Sequence, residues 1–282
     1  MKKFLKSKAA AKALYIILAF LLSLFIVAGS MCALLKITVM SPKYFNESLN
    51  GSGYYADLCS EITDGLKDIG DASGLDKSFF EDIVNETLVR KDVQNYVSDF
   101  YSGKKLSVDT SDFEKDLRSA LAKYERAHNI KMTDYSEKNV DYFVNEAAKI
   151  YAANIKINYL GAIQKTALKL DKALTIATIV LGVLSLAVLL FIFFSIKWKH
   201  KALRYIYYAF CSAGLFIASI PAAIFATGFI GKIAILSKSL NDLYTGILNS
   251  LFTDMLVMGG VLAVIALATA VLSFVIRRKV SA

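Results

Sequence analysis

Residues 13–35 read ALYIILAFLLSLFIVAGSMCALL, 23 positions without one charged side chain. A helix needs about 20 such residues to cross a hydrocarbon core about 30 Å thick. Three further runs meet the same condition: residues 173–196 (24 positions), 205–231 (27) and 255–276 (22). Four runs of this length predict four transmembrane helices rather than the interior of a water-soluble fold. The composition of all 282 residues agrees, with 56% hydrophobic and 20% charged side chains and a mean hydropathy of +0.48, an apolar bias beyond that of soluble domains. With 2 Pro and 15 Gly the chain is neither collagen-like nor proline-rich.

The formal net charge of +9 is unevenly placed. Residues 1–12 carry Lys2, Lys3, Lys6, Lys8 and Lys12; residues 197–204 carry Lys197, Lys199, Lys201 and Arg204; residues 277–282 carry Arg277, Arg278 and Lys279. These short segments hold 12 basic side chains and no acidic one, whereas the rest of the chain holds 21 basic and 24 acidic. Positive charge collects on the cytoplasmic face, and an even number of spans returns the chain to the side where it began. The expectation is a multi-pass plasma-membrane protein with both termini cytoplasmic and residues 36–172 and 232–254 outside. Because the basic excess sits beside span ends, it suits anionic headgroups, and no nucleic-acid partner is expected. The first run is longer than the roughly 7 to 15 apolar residues of a secretory signal, which predicts an uncleaved anchor. Met31 stands before Cys32 where a lipoprotein would carry a small residue.

Residues 36–172 have a soluble composition, 22 acidic and 19 basic side chains in 137 positions. Pro42 and the cluster Asn50, Gly51, Ser52, Gly53 mark its start. Tyr55, Leu58, Ile62, Leu66 and Ile69 fall on one helical face; Val93, Tyr96, Val97, Phe100 and Tyr101 follow the i, i+3, i+4, i+7, i+8 spacing. Phe113, Leu117, Ala120, Leu121 and Tyr124 repeat the pattern, as do Val140, Phe143, Val144, Ala147 and Tyr151. Ser78 with Glu81 and Ser111 with Glu114 have the spacing of capping boxes, in which hydroxyl and carboxylate satisfy the first free amides of a helix. Residues 70–74, 103–109 and 129–134 read as connections. No stretch alternates with period two for long enough to require a sheet. The predicted fold is therefore all-α: four transmembrane helices, with an extracytoplasmic bundle of four or five helices between the first and second spans and Tyr and Phe in its core.

From residue 137 to 172 there is no proline, and Ile155, Tyr159, Leu160, Ile163, Ala167 and Leu170 keep helical spacing up to the second span. A continuous helix there would measure about 54 Å at 1.5 Å per residue. It would serve as a transmitting rod or a passive stalk, with Gly161 as a candidate hinge. In residues 232–254, Leu236, Leu240, Leu243, Ile247 and Leu251 recur on one helical face. This predicts an amphipathic helix lying in the headgroups, packing on the bundle or meeting a partner.

Catalytic groups are scarce. His128 and His200 are the only histidines and fall on opposite sides of the predicted membrane, so no pair is expected to bind zinc or complete a triad. Cys32 and Cys211 lie within spans, where cysteine is commonly a small packing residue. Cys59 has no disulfide partner within residues 36–172, and its place on a patterned helix predicts a buried thiol. The acidic run Asp64, Asp68, Asp71, Asp76 lacks the spacing of a calcium loop. Asn46, Asn50 and Asn85 head N-x-S/T triplets, which matter only along a eukaryotic secretory route. No metal, cofactor or catalytic residue is expected.

No ionisable residue occurs within the four runs, which argues against a self-contained pump. Gly214, Ala218, Ala222 and Ala226 form a small-residue stripe in the third span that permits close helix approach. It reads as intramolecular packing or as a self-association seam. Pro221 is the second candidate hinge, and Gly259 and Gly260 offer a close neighbour in the fourth span.

The expectation for function is a non-enzymatic surface module: the helical domain senses or docks a partner protein, or self-associates, and four spans hold it in the bilayer. Usage rich in Lys, Ile and Tyr with 3 Cys suits a bacterial plasma membrane. The alternative rests on layout. Four spans, a large first external segment, a small second one and both ends inside resemble the ABC permeases of the cell-division and macrolide-efflux type. That resemblance, one of topology without a diagnostic motif, implies a membrane subunit of an ATP-driven mechanotransmission complex. Residues 197–204 depart from it, being barely two helical turns where such permeases carry the element that engages an ATPase.

Overall fold

The computed structural model describes residues 8–73, 75, 77–81, 83–129, 134–157, 159–233 and 237–281. Among these the chain is all-helical and contains no strand. The helices are α1 (Lys8–Ile37), α2 (Pro42–Gly51), α3 (Tyr54–Ser73), α4 (Glu86–Ser102), α5 (Ser111–Ala127), α6 (Asp134–Ile155), α7 (Leu160–Ser195), α8 (Lys199–Thr227) and α9 (Lys238–Ser281). Short 3-10 turns cover Lys77–Phe80 and Ile230–Lys232. Helices α1 and α9 contain the first and fourth charge-free runs, α7 and α8 carry most of the second and third, and four helical segments are long and apolar enough to cross a membrane.

The chain divides into two compact units. A span unit comprises Met1–Met40, Lys169–Ile233 and Leu248–Ala282; a bundle unit comprises Ser41–Leu168 and Ala234–Ile247.

In the span unit α1 packs along α8. Leu22, Leu34, Ile206, Ala209, Ala213 and Ile217 form the buried seam, with a 2.7 Å hydroxyl contact between Ser23 and Ser212. Lys36 near the end of α1 pairs with Asp171 of α7. Outward-facing positions are large and apolar: Phe20 is 62% exposed, Phe194 72% and Leu215 69%. Water does not tolerate apolar surface of that extent, and hydrocarbon solvates it.

Two span boundaries differ from the sequence reading. The third run, residues 205–231, outlasts its helix: α8 ends at Thr227, where Gly228 adopts φ 61° and its N–H closes back on the Ile224 and Phe225 carbonyls. Only glycine takes that left-handed conformation without steric cost. The connection at 197–204 is itself helical from Lys199. Residues 196–198 alone separate α7 from α8, and Lys199 Nζ donates to the Phe193 carbonyl at 2.8 Å, closing the turn.

The bundle unit is built from α2 to α6 and receives the first turns of α7 and α9. Ser41 caps α2, its hydroxyl accepting from the Tyr44 N–H at 3.3 Å, and Pro42 stands at the first helical position, where its missing N–H costs nothing. Helix α3 packs against α6, α4 and α2, and α5 packs against α6. The core carries the expected aromatic side chains: Tyr54, Phe80, Phe113 and Tyr151 are fully buried, and the Phe113 and Tyr151 rings stack at 4.3 Å. A buried aromatic removes on the order of 200 Å² from water, or about 5 kcal/mol before the cost of ordering the side chain.

The long helix expected over 137–172 is broken. α6 stops at Ile155 and α7 starts at Leu160. Ile155 and Ile157 are both buried, yet residues two apart on a helix face directions roughly 200° apart at 3.6 residues per turn. Leaving the helix after Ile155 lets the chain bury both without covering the opposite helix face. Tyr159 accommodates the turn at φ 71°, a left-handed conformation on a non-glycine residue. Gly161, the predicted hinge, instead lies inside the first turn of α7.

The amphipathic helix expected over 232–254 is not a separate element. From Lys238 it is the beginning of α9, which runs unbroken for 44 residues into the fourth span. Its apolar face meets the bundle core, with Leu243 1% exposed and Leu240 and Ile247 packed alongside.

Two helix starts also moved. No α-helix begins at Ser78; its segment is the 3-10 turn, and α4 starts at Glu86 with Asn85 as cap, accepting from the Thr87 N–H at 2.8 Å. The α5 cap position is Thr110 rather than Ser111, with the Thr110 hydroxyl donating to Glu114 at 2.6 Å. Parts of several expectations lie outside the described residues: residues 1–7 of the basic tail, Gly74, Asp76, residues 130–133, Leu236 and Ala282.

Candidate functional site

Within the bundle unit a cleft of about 580 Å³ opens beside α5. Asp116, Lys123 and Tyr124 line it from the helix, and Phe79, Ile83 and Asn85 from the segment before α4. Its aromatic wall is anchored from within. Phe79 meets Tyr124 edge-on at 5.3 Å and Phe80 at 5.1 Å, while Phe80 fills the space beside Gly70, where a Cβ would collide with the ring. Tyr124 also stacks on His128 at 4.0 Å. An apolar wall with a carboxylate, an ammonium and a carboxamide nearby fits a partner side chain or a small amphipathic ligand.

A second polar cluster holds the start of α9. The Glu61 carboxylate on α3 accepts from the Ser239 N–H at 3.0 Å and its hydroxyl at 2.8 Å, and from the Ser237 hydroxyl at 3.0 Å. It thus serves as a cap supplied by another helix, where negative charge also complements the macrodipole. Lys238 pairs with Asp57 at 2.7 Å. That hydrogen bond holds the Asp57 carboxyl below the usual range, and a hydrogen bond in which Asp57 accepts from the Asp242 carboxyl pushes Asp242 above it.

At the α6–α7 break, Gln164 Nε2 donates to the carbonyls of Asp99, Phe100 and Lys104 at 3.1, 3.2 and 2.9 Å. These carbonyls lie at and just past the end of α4, where Asp99 and Phe100 also accept from the Lys104 and Gly103 N–H groups, so one side chain ties two helix termini together three residues past Gly161.

The small-residue stripe divides in two. Gly214 is buried; a Cβ there would come within 2.9 Å of the Gly259 carbonyl, and one at Gly259 within 2.9 Å of the Ala218 Cβ. The Gly214 and Ala218 half is therefore the close crossing of α8 and α9. Ala222 and Ala226 are exposed. Pro221 is buried within α8, which continues through it to Thr227. Gly260 has no atom within 4 Å of a built Cβ, so Gly259 alone of that pair takes part.

Cys59 packs partly buried against the bundle core as a free thiol, and burial pushes it up to about 11, far from a reactive thiolate. The Tyr151 hydroxyl donates to Asp92 at 2.7 Å inside the bundle; burial raises the Asp92 carboxyl even though that bond opposes the rise. Among the described residues, no group of three His, Cys, Asp or Glu side chains is placed to hold a metal ion. The cleft, the Glu61 cap and the Gln164 tie were missed by sequence reasoning. Each joins residues far apart in the chain, and only the isolated hydroxyls Ser237 and Ser239 before an apolar run hinted at a helix start.

No protein family, curated protein or solved structure matches this chain.

Proposed function

We propose that this chain is a non-enzymatic, multi-pass plasma-membrane protein with both termini cytoplasmic, whose extracytoplasmic helical bundle docks a partner protein through the cleft beside α5. The carrying observation is the cleft itself: Phe79 and Tyr124 present an aromatic wall braced by the buried Phe80, with Asp116 and Lys123 beside it. Aromatic anchors in preformed pockets, flanked by charges that steer and align, are what protein docking sites use. The orientation rests on the basic segments beside the span ends. It is supported by the packing of Leu243, from the second connection, into the core built by the first, since alternate connections of a four-span chain share one side.

The test is purification of the tagged protein from its own host in mild detergent, with mass spectrometry of the co-purifying chains. A stoichiometric exported or membrane partner that is lost on Lys123→Glu supports the reading. Retention of every partner by that variant removes the cleft from it.

The ABC-type mechanotransmission reading has one observation in its favour: α7 and α9 each begin in the bundle unit and continue as a single helix into a span. The three-residue turn between α7 and α8 weighs against it. A stoichiometric cytoplasmic ATPase in the same purification would decide for it, and a two-residue insertion beside Gly161 would then uncouple ATP use from function.

A further inference from the structure

Another cleft, of about 450 Å³, lies in the span unit between the start of α8 and the end of α9. Three cations line it: Lys201 and Arg204 from α8 and Arg277 from α9. No acidic residue occurs in the sequence between Asp171 and Asp242 or after Asp254. Among the described residues no carboxylate forms an ion pair with any of the three. Like charges gathered from two helices repel one another and destabilise their own fold unless an anion neutralises them. His200 Nδ1, in the wall of the same cleft, is buried and has no hydrogen-bond partner among the described residues. The Ser273 hydroxyl donates to the His200 carbonyl at 2.7 Å, tying α9 to α8 at this point.

We propose that this cleft binds the phosphate of one anionic phospholipid. The shared chemistry is a phosphoryl anion, and the flanks favour a lipid as its source. Tyr208 and Phe274 line the cleft and are 50% and 55% exposed, and Leu267 and Val271 continue the exposed apolar surface along α9. A free phosphate uses none of that surface, whereas acyl chains lie along it while the headgroup sits among the cations. The volume suits one headgroup with its glycerol, and basic pockets between spans are a recurrent site for acidic lipids.

The test is native mass spectrometry of the full-length protein in mild detergent, with phosphatidylglycerol and phosphatidylcholine added in equal amounts. The expected result is one retained phosphatidylglycerol per chain. In the double variant Arg204→Gln/Arg277→Gln its affinity falls roughly 30-fold, at about 1 kcal/mol for each basic side chain. The double variant Lys8→Gln/Lys12→Gln removes the same charge from α1 and retains the lipid. Equal retention of the two lipids, or equal loss in both double variants, overturns the site. Displacement of the lipid by micromolar inorganic phosphate overturns the lipid source and leaves a free anion as the ligand. Should the Arg204→Gln/Arg277→Gln protein elute as an aggregate, Lys201→Gln at the rim carries the test, with an expected drop of roughly fivefold and no change as the overturning result.

Discussion

The two units of this protein are both packed helices, yet they are held by opposite kinds of residue. The bundle centres on Tyr54, Phe80, Phe113 and Tyr151, large side chains withdrawn completely from solvent. The span unit brings α8 and α9 together where side chains are least, at Gly214, Ala218 and Gly259, and leaves Phe20, Phe194 and Leu215 facing outward. The solvent explains the inversion. In water, area removed from contact drives association, so bulk belongs inside. In hydrocarbon an outward phenylalanine loses nothing, and helices gain only by approaching closely enough for backbone and small side chains to touch.

The largest expected effect comes from hollowing the bundle. Phe80→Ala leaves a cavity beside Gly70 and is expected to cost about 3 to 5 kcal/mol. Denaturant unfolding of the full-length protein in detergent, followed by tyrosine fluorescence, checks this, and a loss under 1 kcal/mol would mean that the core collapses to fill the gap. In the span unit the opposite change is the damaging one. Gly259→Leu is expected to cost about 1 to 3 kcal/mol by overpacking the α8 crossing, while Gly260→Leu, one residue on, is expected to be neutral within about 0.5 kcal/mol. Thermal aggregation of the two variants in the same detergent provides the comparison, and equal behaviour would remove the close crossing. The smallest effect concerns charge in the bundle core. Asp92 has a raised carboxyl in the folded state, so folding favours its protonated form, and its contribution to stability declines as pH rises from the ordinary carboxylate range through the raised value. Asp92→Asn has no such decline. The variant is expected to gain on the wild type by no more than about 1 kcal/mol between pH 4 and 7, measured as the difference of two melting curves, and a constant difference across that range would assign Asp92 no share in the pH dependence.

What the sequence reveals follows the same division. The four spans are legible because hydrocarbon excludes charge at every position, and runs of 22 to 27 uncharged residues say so without knowledge of any contact. The bundle helices are legible through one-sided burial: Val93, Tyr96, Val97 and Phe100 repeat at helical spacing and are all buried. The break before α7 is not, because Ile155, Ile157 and Leu160 remain compatible with a helix until the core buries Ile155 and Ile157 alike. Nor is the cap on α9, since the Glu61 carboxylate stands 178 residues from Ser239. Composition likewise could not choose among lipid, bundle and partner for residues 232–254; of these, Leu240, Leu243 and Ile247 pack at the bundle core.

That place bears on how the protein is made. A ribosome delivers the chain from its amino end, so α2 to α6 are complete long before Leu243 exists, and both α7 and α8 must be synthesised in between. During that interval the bundle lacks one piece of its interior and the carboxylate of Glu61 lacks the helix start it will cap. Maturation of the first large segment is thereby timed by the arrival of the last helix, and a chain truncated before Lys238 would carry an unfinished bundle for quality-control proteases to recognise.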